Sequence, residues 1–267
     1  DVDYVFRVFG TAGDDLFVKE GTNNNNIVIE GGDGDDVLRI SGGELGANVA
    51  FDGGAGQDAI ELTGGTLRDD DFVSISTGGV ERLATVAGVA LNAALGAEAA
   101  RAGVERIEMG DAGGNVTVDA AFGNDLELVL GAGADTFDAG AAGIELAIEA
   151  DAGDIDGDTI SGGAGAGDEI TVRADGSTAD LRNVDGVESY VVVENGDENI
   201  GFAFDDGSFA GVAGGRISVD GSALDDAGVE LPEGSLTVDA GGVTAGAFDI
   251  VAGSGDDDIT TGGGDDS

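Results

Sequence analysis

Two nine-residue stretches, Gly31 to Arg39 (GGDGDDVLR) and Gly53 to Glu61 (GGAGQDAIE), share the frame G-G-x-G-x-D-x-U-x, in which U is apolar. Glycine admits positive φ and lets backbone carbonyls come close to a bound ion. The sixth position, Asp36 and Asp58, supplies a hard carboxylate oxygen. That donor chemistry suits Ca²⁺, which takes oxygen ligands at about 2.3–2.6 Å. The apolar residue two places on, Leu38 or Ile60, starts a short strand and points inward.

Partial copies surround the two full ones. Gly10 to Val18 keeps Asp15 and Phe17, and Gly21 to Ile29 places Asn26 and Val28 in the same positions. Leu130 to Asp138 keeps Asp135 and Phe137, and Ala252 to Thr260 keeps Asp257 and Ile259. Nine residues past Asp257 lies Asp266, in TGGGDD. The run DAGDIDGD sets Asp154, Asp156 and Asp158 at alternate positions around Gly157. It resembles the start of a helix–loop–helix calcium loop, but Gly163 stands where the twelfth-position acid is needed. An irregular acidic turn of the same repeat is the better reading.

The elements that position these residues are short strands. Sixth-position residues fall at Asp15, Asn26, Asp36, Asn48 and Asp58, in steps of 11, 10, 12 and 10. Two half-turns make a coil of about 21–22 residues, the size of a solenoid repeat. The segments between, such as VLRIS and AIELT, put Leu38, Ile40, Ile60 and Leu62 inward and Arg39 and Glu61 outward. The spacing predicts an all-β parallel β-roll or β-solenoid with glycine–aspartate turns. An Ala-rich stretch at 84–102 predicts a short helical insertion, although Gly88 and Gly96 weaken it. The unit GVERL at Gly79 recurs as GVERI at Gly103 and partly as GVESY at Gly186, which predicts equivalent strands. The expected division is a roll over 1–79, an irregular or inserted segment over 80–115, and continued solenoid over 116–267.

Composition agrees. The formal net charge is −45, from 55 acidic and 10 basic residues, and 38 of the acids are Asp, a turn residue and calcium ligand. Glycine contributes 52 residues and proline one, so the turns are glycine turns. Nucleic acid and anionic membranes are not expected as partners, because the surface repels phosphate. No stretch approaches the length of an apolar bilayer span, so no membrane insertion is expected. There is no Cys and no His, which removes thiol chemistry, zinc-protease motifs and a Ser-His triad. No enzymatic activity is expected of this chain. The chain starts with Asp and stops inside a repeat, and reads as a segment of a longer or processed protein. A surface adapted to high salt also produces acidic, lysine-poor sequences. It explains scattered acids, but not aspartates that follow glycine by two residues and precede an apolar residue by two.

At these motifs the chain resembles the RTX (haemolysin-type calcium-binding repeat) family, a parallel β-roll with Ca²⁺ between successive turns. The resemblance implies side-chain ligation by Asp36 and Asp58, with carbonyls of Gly31, Asp33, Gly53 and Ala55 nearby. A finer likeness, carried by GGAGQDAIEL and the later GGVERL, is to RTX-type bacterial S-layer proteins, which leave the cell by type I secretion. It implies an extracellular or cell-surface calcium-dependent structural module of an S-layer, filament or adhesin stalk. Homo-oligomer, lattice or filament neighbours are its expected partners. Two alternatives stay open: a non-catalytic accessory roll of a type I-secreted enzyme, and a ligand-binding roll. For the latter the chain offers no Trp, two Tyr and no threonine ladder.

Overall fold

The computed structural model describes residues 5–21, 26–193, 199–224 and 234–267. Residues 22–25 of the repeat copy that begins at Gly21 therefore lie outside the described residues. The chain is a parallel β-solenoid made of two compact units, 1–126 and 127–267. The short strand Leu126–Val129 falls at their boundary.

In the first unit, one sheet stacks Leu16–Val18, Val37–Ile40, Ala59–Leu62, Arg82–Thr85 and Arg106–Glu108. A second stacks Val5–Phe9, Asn26–Asp33 and Val49–Ala55, and a third pairs Leu91–Leu95 with Gly114–Val118. All pairings are parallel and in register, so like residues fall above one another. Phe17 lies against Leu38, Leu38 against Ile60, Ile60 against Leu83 and Leu83 against Ile107. From Leu38 onward this column is fully buried. Period-two alternation puts Arg39 and Glu61 outside, where they pair at 2.7 Å. A half-exposed pair of this kind contributes about 0.2–1 kcal/mol, so the inner column dominates.

The second unit repeats the design. One sheet stacks Leu146–Asp151, Glu169–Arg173, Ser189–Val193, Arg216–Asp220 and Ala247–Val251. A second holds Asp135–Asp138, Thr159–Ser161 and Val184–Asp185, and a third holds Thr178–Asp180, Ile200–Ala203, Leu236–Asp239 and Asp258–Thr260. Its core includes an aromatic cluster in which the Tyr190 ring lies 6.0 Å from Phe202 and 5.3 Å from Phe204. The Tyr190 hydroxyl is buried without a hydrogen-bond partner. An orphaned buried hydroxyl costs about 1–3 kcal/mol. Tyr190→Phe is therefore expected to raise the unfolding free energy by about 1 kcal/mol, read from urea denaturation. A loss of stability would mean the hydroxyl is bonded.

The Ala-rich stretch holds both strand and helix. Arg82–Thr85 and Leu91–Leu95 belong to the sheets, and only Ala97–Ala102 is helical. Gly88, at φ +77°, turns the chain between the two strands. Leu91, Ala93 and Leu95 are buried at every second residue, which is strand period. The helix begins where Asp69 Oδ1 accepts the N–H groups of Gly96 and Ala99, at 2.8 and 2.9 Å, and ends at left-handed Gly103. Among the described residues, no helix is long and apolar enough to cross a membrane.

Coil stacking also dictates glycine. A β-carbon on Gly54 would sit 2.1 Å from the Gly32 carbonyl oxygen, and Gly54 has φ +109°. The clashing atoms are backbone, so they cannot rotate away. Gly54→Ala is expected to cost about 2–3 kcal/mol from overlap and strain together. Gly13→Ala, with nothing within 4 Å of the new carbon, is the control and should melt as wild type does. Equal melting temperatures for both variants would refute the close stacking.

Candidate metal centre

Four successive coils of the first unit place one acidic residue at the same corner, and these corners are joined by a ladder of hydrogen bonds. The Asp15 N–H donates to Asp36 Oδ1 at 2.8 Å, 21 residues on. The Asp36 N–H donates to Asp58 Oδ1 at 2.8 Å, 22 residues on. The Asp58 N–H donates to Glu81 Oε2 at 2.8 Å, 23 residues on. The preceding position bonds in the opposite direction: Asp35 N–H donates to Asp14 Oδ1 and Gln57 N–H to Asp35 Oδ1. Successive turns are thus tied both forward and back through carboxylates.

The ladder uses one oxygen of Asp36 and of Asp58 and leaves the other over, whereas Asp15 Oδ2 accepts the N–H and the hydroxyl of Thr11, at 2.6 and 3.0 Å. Asp36 and Asp58 are completely buried, and Oδ2 of each has no hydrogen-bond partner. A methyl group on Gly31 would lie 2.2 Å from Asp36 Oδ2 and 2.3 Å from the Gly53 carbonyl oxygen. On Gly10 it would lie 2.0 Å from the Gly31 carbonyl oxygen and 2.8 Å from Asp15 Oδ2. The missing side chain therefore lets a carboxylate oxygen of its own coil and a carbonyl oxygen of the next coil approach the same glycine. Asp33 and Ala55 pair in register at the exposed edge of these turns, and the Ala55 carbonyl accepts the Gly34 N–H at 2.8 Å.

The second unit carries further corners. The Asp135 N–H donates to Asp158 Oδ1 at 2.8 Å. Both oxygens of Asp135 and Oδ2 of Asp158 are buried without a well-formed hydrogen bond, although the Gly131 N–H is near enough to Asp135 to favour its charged form. Asp154 is near enough to act on both carboxyls, whereas Asp156 is exposed and acts on Asp158. Asp257 Oδ1 accepts the Leu236 N–H at 2.9 Å and Asp266 Oδ1 the Phe248 N–H at 3.1 Å, both from half-buried positions.

Three ladder residues fall outside the glycine frame. Glu81 and Glu188, each the glutamate of a GVE unit, take the corner position with a side chain one methylene longer. Their backbones match: residues 81 and 82 both donate to the Asp58 carbonyl, and 188 and 189 both donate to the Asp168 carbonyl. Glu105 and Arg106 donate likewise to the Glu81 carbonyl, so the recurring units do open equivalent strands. Asp168, the third, is completely buried, with Oδ1 on the Leu146 N–H at 2.8 Å.

Electrostatics marks the same groups. Burial pushes the carboxyls of Asp36, Asp58, Asp168 and Glu81 above the usual range, neighbouring carboxylates add to this, and ladder N–H groups oppose it. Asp135 and Asp158 are pushed up to about 7, by burial first. A buried anion of this kind needs a proton or a cation. Among the described residues, no three acidic side chains converge on one point. A cation at a corner would therefore take one or two carboxylates together with carbonyl oxygens. That all-oxygen donor set fits a hard ion such as Ca²⁺ and does not favour a soft one. Comparison of the chain with protein-family models, curated proteins and solved structures finds no match.

Proposed function

We propose that the protein is an extracellular or cell-surface structural module that folds, and assembles with further copies, when Ca²⁺ fills its turn corners. The observation that carries this reading is the set of completely buried carboxylate oxygens, on Asp36, Asp58, Asp158 and Asp168, that no donor satisfies. Asp36, Asp58, Asp135 and Asp158 would hold the ions, with carbonyls such as those of Gly31 and Gly53. Asp15, Asp257 and Asp266 would serve the half-buried corners, and Asp154 and Asp156 would flank the Asp158 corner.

Bound Ca²⁺ supplies the positive charge that lets like-charged corners stack. The residues do the rest: Asp36, Asp58, Asp158 and Asp168 each fix the register of the coil before through Oδ1 and leave Oδ2 buried without a donor. With a net charge of −45, the unloaded chain resists compaction. Binding free energy then becomes folding free energy. A chain made where calcium is scarce would stay unfolded for export and fold outside the cell. The role is scaffold rather than catalyst, since the chain has neither His nor Cys to act as base or nucleophile.

Circular dichroism and light scattering, followed while calcium is added to the EDTA-stripped protein, test this. Strand signal that grows with rising scatter is the expected result. Growth without scatter would leave calcium folding intact but remove assembly. Strand signal indifferent to EDTA would overturn the calcium reading and leave the acids as a salt-adapted surface.

A further inference from the structure

We propose that Asp168 and Glu188 of the second unit, with the carbonyl oxygen of Gly186, form a divalent-cation site; this rests on the calcium reading above. Three features of the first-unit corner recur here. The first is the cradle. A methyl group on Gly162 would lie 2.2 Å from the Gly186 carbonyl oxygen and 3.0 Å from Asp168 Oδ2. The order is the one seen at Gly31: a glycine, the aspartate of its own coil, and a glycine carbonyl of the next coil. From Gly31 to Asp36 is five residues and from Gly162 to Asp168 six. That single inserted residue takes Asp168 out of the nine-residue frame while leaving it at the corner.

The second feature is the unsatisfied oxygen. Asp168 is completely buried, its Oδ1 is held by the Leu146 N–H, and its Oδ2 makes no well-formed hydrogen bond, the Gly163 N–H being near enough only to favour the charged form. The third is the neighbouring rung. Glu188 Oε2 accepts the N–H groups of Gly167 and Asp168, at 3.2 and 3.1 Å, and Oε1 accepts the Ala213 N–H at 2.8 Å. Glu188 is thereby fixed beside the Asp168 backbone, with lone pairs still available. The donors are oxygen throughout, two of them anionic, so the ion is a hard divalent cation. Glutamate in place of the next aspartate distinguishes this site from the Asp36–Asp58 step.

Calcium bound per chain is measured after desalting, by atomic emission, for wild type, Asp168→Asn and Glu188→Gln. Asparagine keeps Oδ1 for the Leu146 N–H, so the coil retains its register bond. Each variant is expected to retain one ion fewer than wild type. A count equal to wild type overturns this site and leaves the other corners standing; a wild type that retains no calcium overturns the calcium reading itself. A second readout needs no change at the site. The chain has no Trp and two Tyr, so Tyr4→Phe leaves Tyr190, two residues past Glu188, as the sole tyrosine sensitiser of terbium. Saturable, calcium-displaceable terbium emission excited through Tyr190 is expected, and it should persist in Asp36→Asn. Its absence from a chain that binds calcium elsewhere would overturn the site.

Discussion

Replacing Asp36 and Asp58 together by Asn is expected to destabilise the protein in calcium and to stabilise it in EDTA. The substitution keeps what the ladder needs, because the asparagine Oδ1 still accepts the N–H groups of Asp15 and of residue 36, each now at 2.8 Å. It changes only the second oxygen, which becomes an amide facing the glycine carbonyls. Without calcium, two buried anions and their repulsion from Asp14, Asp15 and Asp35 disappear. That gain is about 1–3 kcal/mol. With calcium at tenfold to hundredfold above its dissociation constant, each lost site removes about 1.4–2.7 kcal/mol, or about 3–5 kcal/mol for two. The urea midpoint in saturating calcium and the strand signal that survives in EDTA measure the two arms. A shift of the same sign in both conditions would mean that the two aspartates are not ligands.

Much of this corner was legible in the chain itself. Asp36 and Asp58 stand out because their glycines are forced: nothing larger than hydrogen fits between Gly31 and the Gly53 carbonyl. The inward columns of Leu38, Ile40, Ile60 and Leu62 follow from strand alternation, and all four are fully buried. The residues that escaped are those that coil geometry allows and residue counting forbids. The ladder asks only that one carboxylate per coil meet one N–H, so Glu81 and Glu188 serve with a longer side chain. Asp168 serves after an inserted residue. The short helix expected within 84–102 is Ala97–Ala102; alanine fits both states, and burial of Leu91, Ala93 and Leu95 on one strand face makes strand of the residues before it. Composition is a weak guide where a neighbouring coil already offers a sheet edge.

Acid should substitute in part for calcium. Asp135 and Asp158 have folded-state values of about 7 against an ordinary 3.8, so the folded chain holds protons that the unfolded chain releases. The stability these protons confer is fully present below the unfolded value and is lost as pH rises through about 7. One carboxyl raised by about three units corresponds to about 4 kcal/mol. The two sit on adjacent rungs beside Asp154 and Asp156, and they titrate as a coupled pair. In EDTA, stability should therefore fall between about pH 4, the unfolded value, and about pH 7, the folded one. In saturating calcium the slope should flatten or reverse, because the ion needs the deprotonated ligands and displaces the protons. The double substitution Asp135→Asn with Asp158→Asn separates this pair from the general acidity of the chain. It retains the rung, since the amide oxygen introduced by Asp158→Asn takes the place of the Oδ1 that now accepts the N–H of residue 135. It should remove most of the slope near pH 7 in EDTA. An EDTA profile that rises with pH, or one the double substitution leaves unaltered, would mean that these carboxyls are ionised in the calcium-free fold. Buried anions would then be tolerated there without any counter-ion, and the case for calcium at this corner would fall with them.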